Sequence, residues 1–265
     1  MFDGDRLRGS LFNPGQRRLF VSFRQRTREA GQFSDAAPVK AFAGAGYTHL
    51  HLQARLNDWY INEETAALEA ALTEVTSGFA EAAAMGFSMG GYAALRFARA
   101  LNLTRLIAVS PQFSIAPEHV PFDRRYRKYA GGFDPEQGAL QGRGHPVMGA
   151  VLADPFRPAD MVNAEMIQLV FPGLGIARLC AGGHPATQVL REGRRFPALQ
   201  RLLRTPGPIP EQAVALHRRA RRASPQYWRQ LAEQACKSGR IRLAAEAGNR
   251  HTQLAQGKAP ENTGI

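Results

Sequence analysis

Short apolar runs alternate along the chain with longer stretches in which apolar positions recur every three or four residues. The runs Leu19–Phe23, Tyr47–Leu52, Ala83–Phe87, Arg105–Val109, Val151–Ala153 and Ile176–Cys180 are too short for buried helices, and this predicts strands. Between them Leu68, Leu72 and Val75 share one helical face, as do Ala94, Ala98 and Leu101. Asn62 ahead of Glu63 and Glu64 predicts a helix start, because carboxylates favour the positive end of a helix. Strand and helix in alternation predict an α/β fold built on a parallel sheet.

Two regions break the rhythm. The interval from Val109 to Val151 is longer than a crossover needs, and it holds Phe113, Phe122, Tyr126, Tyr129 and Phe133 among prolines and glycines. Residues 111–149 therefore read as an insertion, either a cap over the top of the sheet or a surface excursion packed by its own aromatics. Within it Arg124, Arg125, Arg127 and Lys128 would either attract an anionic substrate or form a solvated charge run. After Arg204, Pro206-Gly207-Pro208-Ile209-Pro210 reads as a stiff connector. The expected organisation is a main domain over 1–204, a basic helical appendage over 205–250 and a flexible tail over 251–265.

Composition narrows the classes. Of the 265 residues 44% are hydrophobic and 21% charged, as in an ordinary globular protein rather than a disordered one. The net charge of +12 invites a nucleic-acid or anionic-surface reading. Its distribution argues otherwise: residues 191–222 hold nine Arg against two Glu, whereas residues 31–122 hold five cations against eight carboxylates. No recognised nucleic-acid module accompanies the basic stripe Arg218, Arg219, Arg221 and Arg222, so specific nucleic-acid binding is not expected. Cys180 and Cys236 lack CxxC spacing, which removes a zinc knuckle or disulfide framework. No apolar stretch reaches the about 18 residues of a membrane span, and the N-terminus has no secretory pattern, so a cytoplasmic protein is expected.

The most informative segment is Gly86-Phe87-Ser88-Met89-Gly90-Gly91, between the apolar run Ala82–Met85 and the helical stretch Tyr92–Ala98. G-x-S-x-G at a strand-to-helix junction aims a serine out of a tight turn, whose neighbours must lack bulk. The helix behind Ser88 points its free N–H groups at the site. Met89 would supply one donor to an oxyanion, and the loop around Phe23–Gln25, with Arg24 the candidate, would supply the second.

The run Met85–Ala94 resembles the elbow of the α/β-hydrolase superfamily, and the likeness extends over roughly residues 15–204 by strand order. It implies a doubly wound, mostly parallel sheet, with an acid after a later strand and a histidine after the last. Val151-Leu152-Ala153-Asp154-Pro155-Phe156-Arg157-Pro158 is similar to the family's acid loop, which gives Asp154 that role. Asp160, expected as the N-cap of the next helix, is the second candidate. Ile176–His184 is similar to the terminal histidine loop. The resemblance then implies that Ser88 attacks a carbonyl, His184 carries its proton and Asp154 fixes the imidazole.

The other six histidines fit less well. His49 and His51 share one face of a strand without a third ligand, and His145 precedes the acid strand. His119 lies in the insertion, and His217 and His251 lie beyond the hydrolase-like region. Trp59 and Tyr60 follow a strand, where they would either wall a substrate pocket or pack a turning loop. Trp228, Leu231, Ala232, Ala235, Gly239 and Ala244 are spaced as in one tetratricopeptide-type hairpin. The expectation is a serine esterase or thioesterase acting on a small acyl substrate through an acyl-enzyme on Ser88, without cofactor or metal. Acyl transfer by the same triad is the alternative within that class. A non-catalytic relative that binds a protein partner through its C-terminal helices is the competing class.

Overall fold

In a computed structural model, which describes residues 1–257, eight strands form one sheet in the order β1-β2-β4-β3-β5-β6-β7-β8. They are β1 (Phe2–Asp3), β2 (Leu7–Phe12), β3 (Arg18–Phe23), β4 (Tyr47–Ala54), β5 (Glu81–Phe87), β6 (Arg105–Val109), β7 (Met148–Ala153) and β8 (Leu174–Arg178). β1 and β2 are antiparallel, and β4 through β8 pair in parallel. The helices are α1 (Lys40–Ala43), α2 (Thr65–Thr76), α3 (Met89–Arg96), α4 (Pro158–Val170), α5 (Gln188–Glu192), α6 (Phe196–Arg201), α7 (Ile209–Ala220), α8 (Pro225–Lys237) and α9 (Ile241–Gln256).

The side-chain alternation of a strand divides the core in two. Ala82, Ala84, Leu106, Ala108, Val151 and Ala153 face the layer containing α2, α3 and α4. Their neighbours Ala83, Met85, Ile107, Val109, Ala150 and Leu152 face α1, α5, α6 and α7. Helices on both faces explain why these strands are apolar beyond their first residues. The sheet is doubly wound, as expected, and has the α/β-hydrolase order.

All six expected strands are present with shifted ends: β7 starts at Met148, and β8 stops at Arg178, short of Cys180. β1 and β2 were not foreseen. Gly9 interrupts the apolar face of β2, because a side chain there would meet Met1 and the Leu52 side chain of β4.

The C-terminal organisation differs from the expected boundary at Arg204. α7 lies against β7 and β8, with Ile209, Ala213 and Ala220 buried in the same core cluster as the sheet. Pro210 packs so closely on β8 that a Cβ at Gly175 would approach it to 2.6 Å. The Pro-rich connector therefore opens a core helix, Pro being compatible with a first helical turn. α8 and α9 pack on each other as a pair, and α8 docks on α5, where Ser224 Oγ and the Gln226 N–H both donate to Glu192. The expected tail is helical through Gln256, and residues 258–265 lie outside the described residues. A groove of about 690 Å³ on the pair is lined by Tyr227, Trp228, Leu231, Leu243, Arg222 and Arg250, among others. No helix among the described residues is long and apolar enough to cross a membrane.

Candidate active site

The parallel register brings the C-terminal ends of the strands to one edge. Single bonds carry the pairing just past the strands: Ser88 N–H donates to Val109 O, Ser110 N–H to Leu152 O and Leu179 N–H to Ala153 O, each at 2.8 Å. Ser88 follows β5 directly and has φ 49° and ψ −118°, a strained conformation for a residue with a Cβ. The turn is possible because its neighbours are glycines. A Cβ on Gly86 would come within 2.1 Å of Gly90 O, and one on Gly90 within 2.9 Å of Phe23 Cβ.

His184 lies in the loop between β8 and α5 and meets Ser88 across the sheet edge. Its Nε2 is 3.1 Å from Ser88 Oγ, and its Nδ1 is 3.0 Å from Asp160 Oδ2. A carboxylate only accepts, so this bond fixes the proton on Nδ1 and leaves Nε2 as the acceptor. Burial acts to raise the Asp160 pKa, but the bond to His184 and the charges of His184 and Arg125 outweigh it and bring it below the usual value.

The acid beside the histidine is thus Asp160 and not Asp154. The Asp154 carboxylate accepts backbone N–H groups instead: Phe156 and Ala181 on Oδ1 at 3.0 Å, and Gly183 on Oδ2 at 2.8 Å. It forms an Asx turn and ties the histidine loop to the end of β7, where burial raises its pKa. Nor is Asp160 an N-cap. It sits in the first turn of α4, whose N-cap is Arg157.

Arg125, from the insertion, joins Asp160 to a further carboxylate. It donates to Asp160 Oδ1 at 2.6 Å and to both oxygens of Asp123, at 2.8 and 2.6 Å. Asn163 on α4 also donates to Asp123 and accepts the Phe113 N–H, so the insertion is stitched to the acid helix. Of the four basic residues flagged there, Arg125 is neither a solvated charge nor free to attract substrate.

Two neighbours of Ser88 escaped the sequence reading. Tyr126 Oη lies 3.0 Å from His184 Nε2. Gln112 accepts the Trp59 indole N–H on Oε1 at 3.0 Å, which turns its Nε2 toward Ser110 O at 3.1 Å and Ser88 Oγ at 3.4 Å. The aromatic run in the insertion was the available signal for Tyr126. Gln112 carried none.

Three other expectations change. Tyr60 is fully buried, and its hydroxyl lies 2.9 Å from the carbonyl oxygens of both Arg24 and Leu52, where it braces the ends of β3 and β4. Trp59, also fully buried, packs behind Tyr126 at 5.0 Å between ring centroids, so neither residue walls a pocket directly. The Arg24 amide is spent on Leu52 O at 2.8 Å and is not available to an oxyanion. Among the described residues the amides of Met89 and Gln25 donate to no protein acceptor.

The remaining histidines have structural partners. His49 Nε2 and His51 Nδ1 each lie 2.8 Å from Ser22 Oγ, and His217 Nε2 bonds Cys180 O. Among the described residues no cluster of three or more His, Cys, Asp or Glu could hold a metal.

Compared by sequence, the chain matches no family model and no curated protein. Solved structures resemble it in fold. The capsule O-acetyltransferase of Neisseria meningitidis serogroup A is 12% identical, with a TM-score of 0.53 over 77% of this chain and 93% of that one. An esterase of Pyrococcus furiosus is 14% identical over 76% of this chain and 87% of its own, with a TM-score of 0.46. MenH from S. aureus is 14% identical over 74% of this chain and 96% of its own, with a TM-score of 0.42. At 12% identity the likeness to the acetyltransferase is one of fold alone, and the strand order and doubly wound sheet of this chain are those of the α/β-hydrolase fold.

Proposed function

We propose that the protein is a serine enzyme acting on acyl esters, with Ser88 as nucleophile, His184 as general base and acid, and Asp160 as the residue that orients the imidazole. The observation that carries this reading is the linear relay Ser88 Oγ, His184 Nε2, His184 Nδ1, Asp160 Oδ2, with gaps of 3.1 and 3.0 Å, set on a strained elbow. In the proposed reaction the Ser88 O–H passes its proton to Nε2 as Oγ bonds to the acyl carbon. The intermediate then expels the alcohol or thiol, which takes that proton, and leaves an acyl-serine. A water or an acceptor hydroxyl reverses the sequence and frees the serine. The amides of Met89, at the start of α3, and of Gln25, both left without a protein acceptor among the described residues, would stabilise the oxyanion.

The likeness of fold to an O-acetyltransferase fits the transfer half of this cycle. The test is labelling by a fluorophosphonate. The folded protein should react covalently, and Ser88→Ala should abolish the label. A folded wild-type protein that stays unlabelled would sink the reading.

A further inference from the structure

Resting on that reading, we propose that Tyr126 holds the acceptor position of the site, so that the acyl-enzyme is delivered to a hydroxyl-bearing acceptor in preference to water. The argument starts from Nε2 of His184. With Nδ1–H committed to Asp160, Nε2 has one lone pair, and two hydroxyls approach it: Ser88 at 3.1 Å and Tyr126 at 3.0 Å. Once Ser88 is acylated it has no proton to give. The lone pair is then served by Tyr126 alone.

Any oxygen that attacks the acyl carbon must hand its proton to Nε2, and so must come within hydrogen-bond reach of that atom. The Tyr126 hydroxyl occupies such a place. A water can replace it only as one hydrogen-bonding oxygen for another. An acceptor alcohol brings a carbon framework as well, which can pack against the edge of the Tyr126 ring where it borders His184.

The phenol is not there by the accident of a loose loop. Arg125, the preceding residue, is bonded to both Asp160 and Asp123, and its guanidinium lies 5.3 Å from the Tyr126 ring centroid. Tyr126 is only 8% exposed, and burial raises its pKa, so it keeps the proton that it donates.

In the transfer step the acceptor O–H gives its proton to Nε2 while its oxygen bonds to the acyl carbon. The tetrahedral intermediate then breaks its bond to Ser88 Oγ, and Nε2 returns the proton to that oxygen. The products are the acceptor's ester and the free serine.

The experiment measures partition in the full-length protein with p-nitrophenyl acetate as donor and glycerol as acceptor, scoring acetylglycerol against acetate. The wild type should favour acetylglycerol beyond the molar ratio of glycerol to water. Tyr126→Phe should lower the transfer-to-hydrolysis ratio about fivefold, the rate equivalent of one hydrogen bond, and Tyr126→Ala should lower it further. If Tyr126→Ala does not fold, the phenylalanine variant decides. Ser88 labelled by fluorophosphonate in every folded variant, with the ratio unchanged, overturns the role of Tyr126 alone. No labelling of the folded wild type overturns the underlying reading as well.

Discussion

Asp160 and Asp154 are both buried within reach of the histidine loop, and they differ in what their oxygens accept. Asp160 takes an imidazole N–H and a guanidinium, whereas Asp154 takes three backbone amides. The difference predicts opposite phenotypes. Asp160→Asn should keep the fold and slow fluorophosphonate labelling by about 10³- to 10⁴-fold, because the amide no longer imposes the right tautomer. Asp154→Asn should leave labelling within about tenfold but destabilise the protein by about 2 kcal/mol, since an amide NH₂ would face a backbone N–H. Thermal unfolding and labelling rates measured on the same samples separate the two. A folded Asp154→Asn variant that cannot be labelled, beside a reactive Asp160→Asn, would reverse the assignment. Part of this was readable in the sequence. Ser88 and His184 are set by local turns, and glycines mark the places. The acid is set by where α4 begins, which depends on packing against the insertion; yet Asp154-Pro155 was already a turn signature.

At the scale of elements, β3 and β4 meet through Ser22, His49 and His51, and their chemistry makes this junction sensitive to acid. His49 Nδ1 accepts the Val39 N–H at 3.2 Å, which leaves its Nε2–H for Ser22. Burial and then the neighbouring His51 push its pKa from the ordinary 6.5 down to about 4. Between those values the unfolded chain binds a proton that the folded chain refuses. Stability is therefore full above pH 6.5, falls as pH drops toward 4 and is not lost further by this group below that. The fall should reach about 3 kcal/mol, seen as a declining urea midpoint from pH 7 to 4. His49→Gln should flatten much of the decline, and an equal slope in the variant would assign it to other groups. Alternation placed both histidines on one face, but the Val39 and Ser22 partners come from elsewhere in the chain. The same limit hid β2, whose antiparallel pairing with β4 joins residues some 37 to 47 positions apart in the chain.

At the scale of the molecule, an α/β fold on a parallel sheet was legible from the alternation of strands and helices, and the domain boundary was not. A change in composition at Pro206 marks where the chain stiffens, but α7 beyond it supplies Ile209, Ala213 and Ala220 to the central core. Most of the Arg-rich stretch accordingly belongs to helices packed on the sheet and not to an appendage. A chain cut after Arg204 should lose cooperative unfolding and fluorophosphonate labelling, because it exposes the α7 face of β7 and β8. A chain cut after Arg222 keeps that helix and should retain both, with a lower unfolding midpoint from the lost Ser224 and Gln226 bonds to Glu192. If the shorter chain folds and labels normally, α7 is dispensable and the expected boundary stands. The ion pair between Arg125 and Asp160 bears on how such a protein could diversify. One cation ties the insertion to the acid, and a replacement insertion without it would strip the buried Asp160 carboxylate of its guanidinium partner. The insertion is therefore not an exchangeable module. New specificity, by selection or by design, has to be written into the residues around Arg125 while that side chain stays in place.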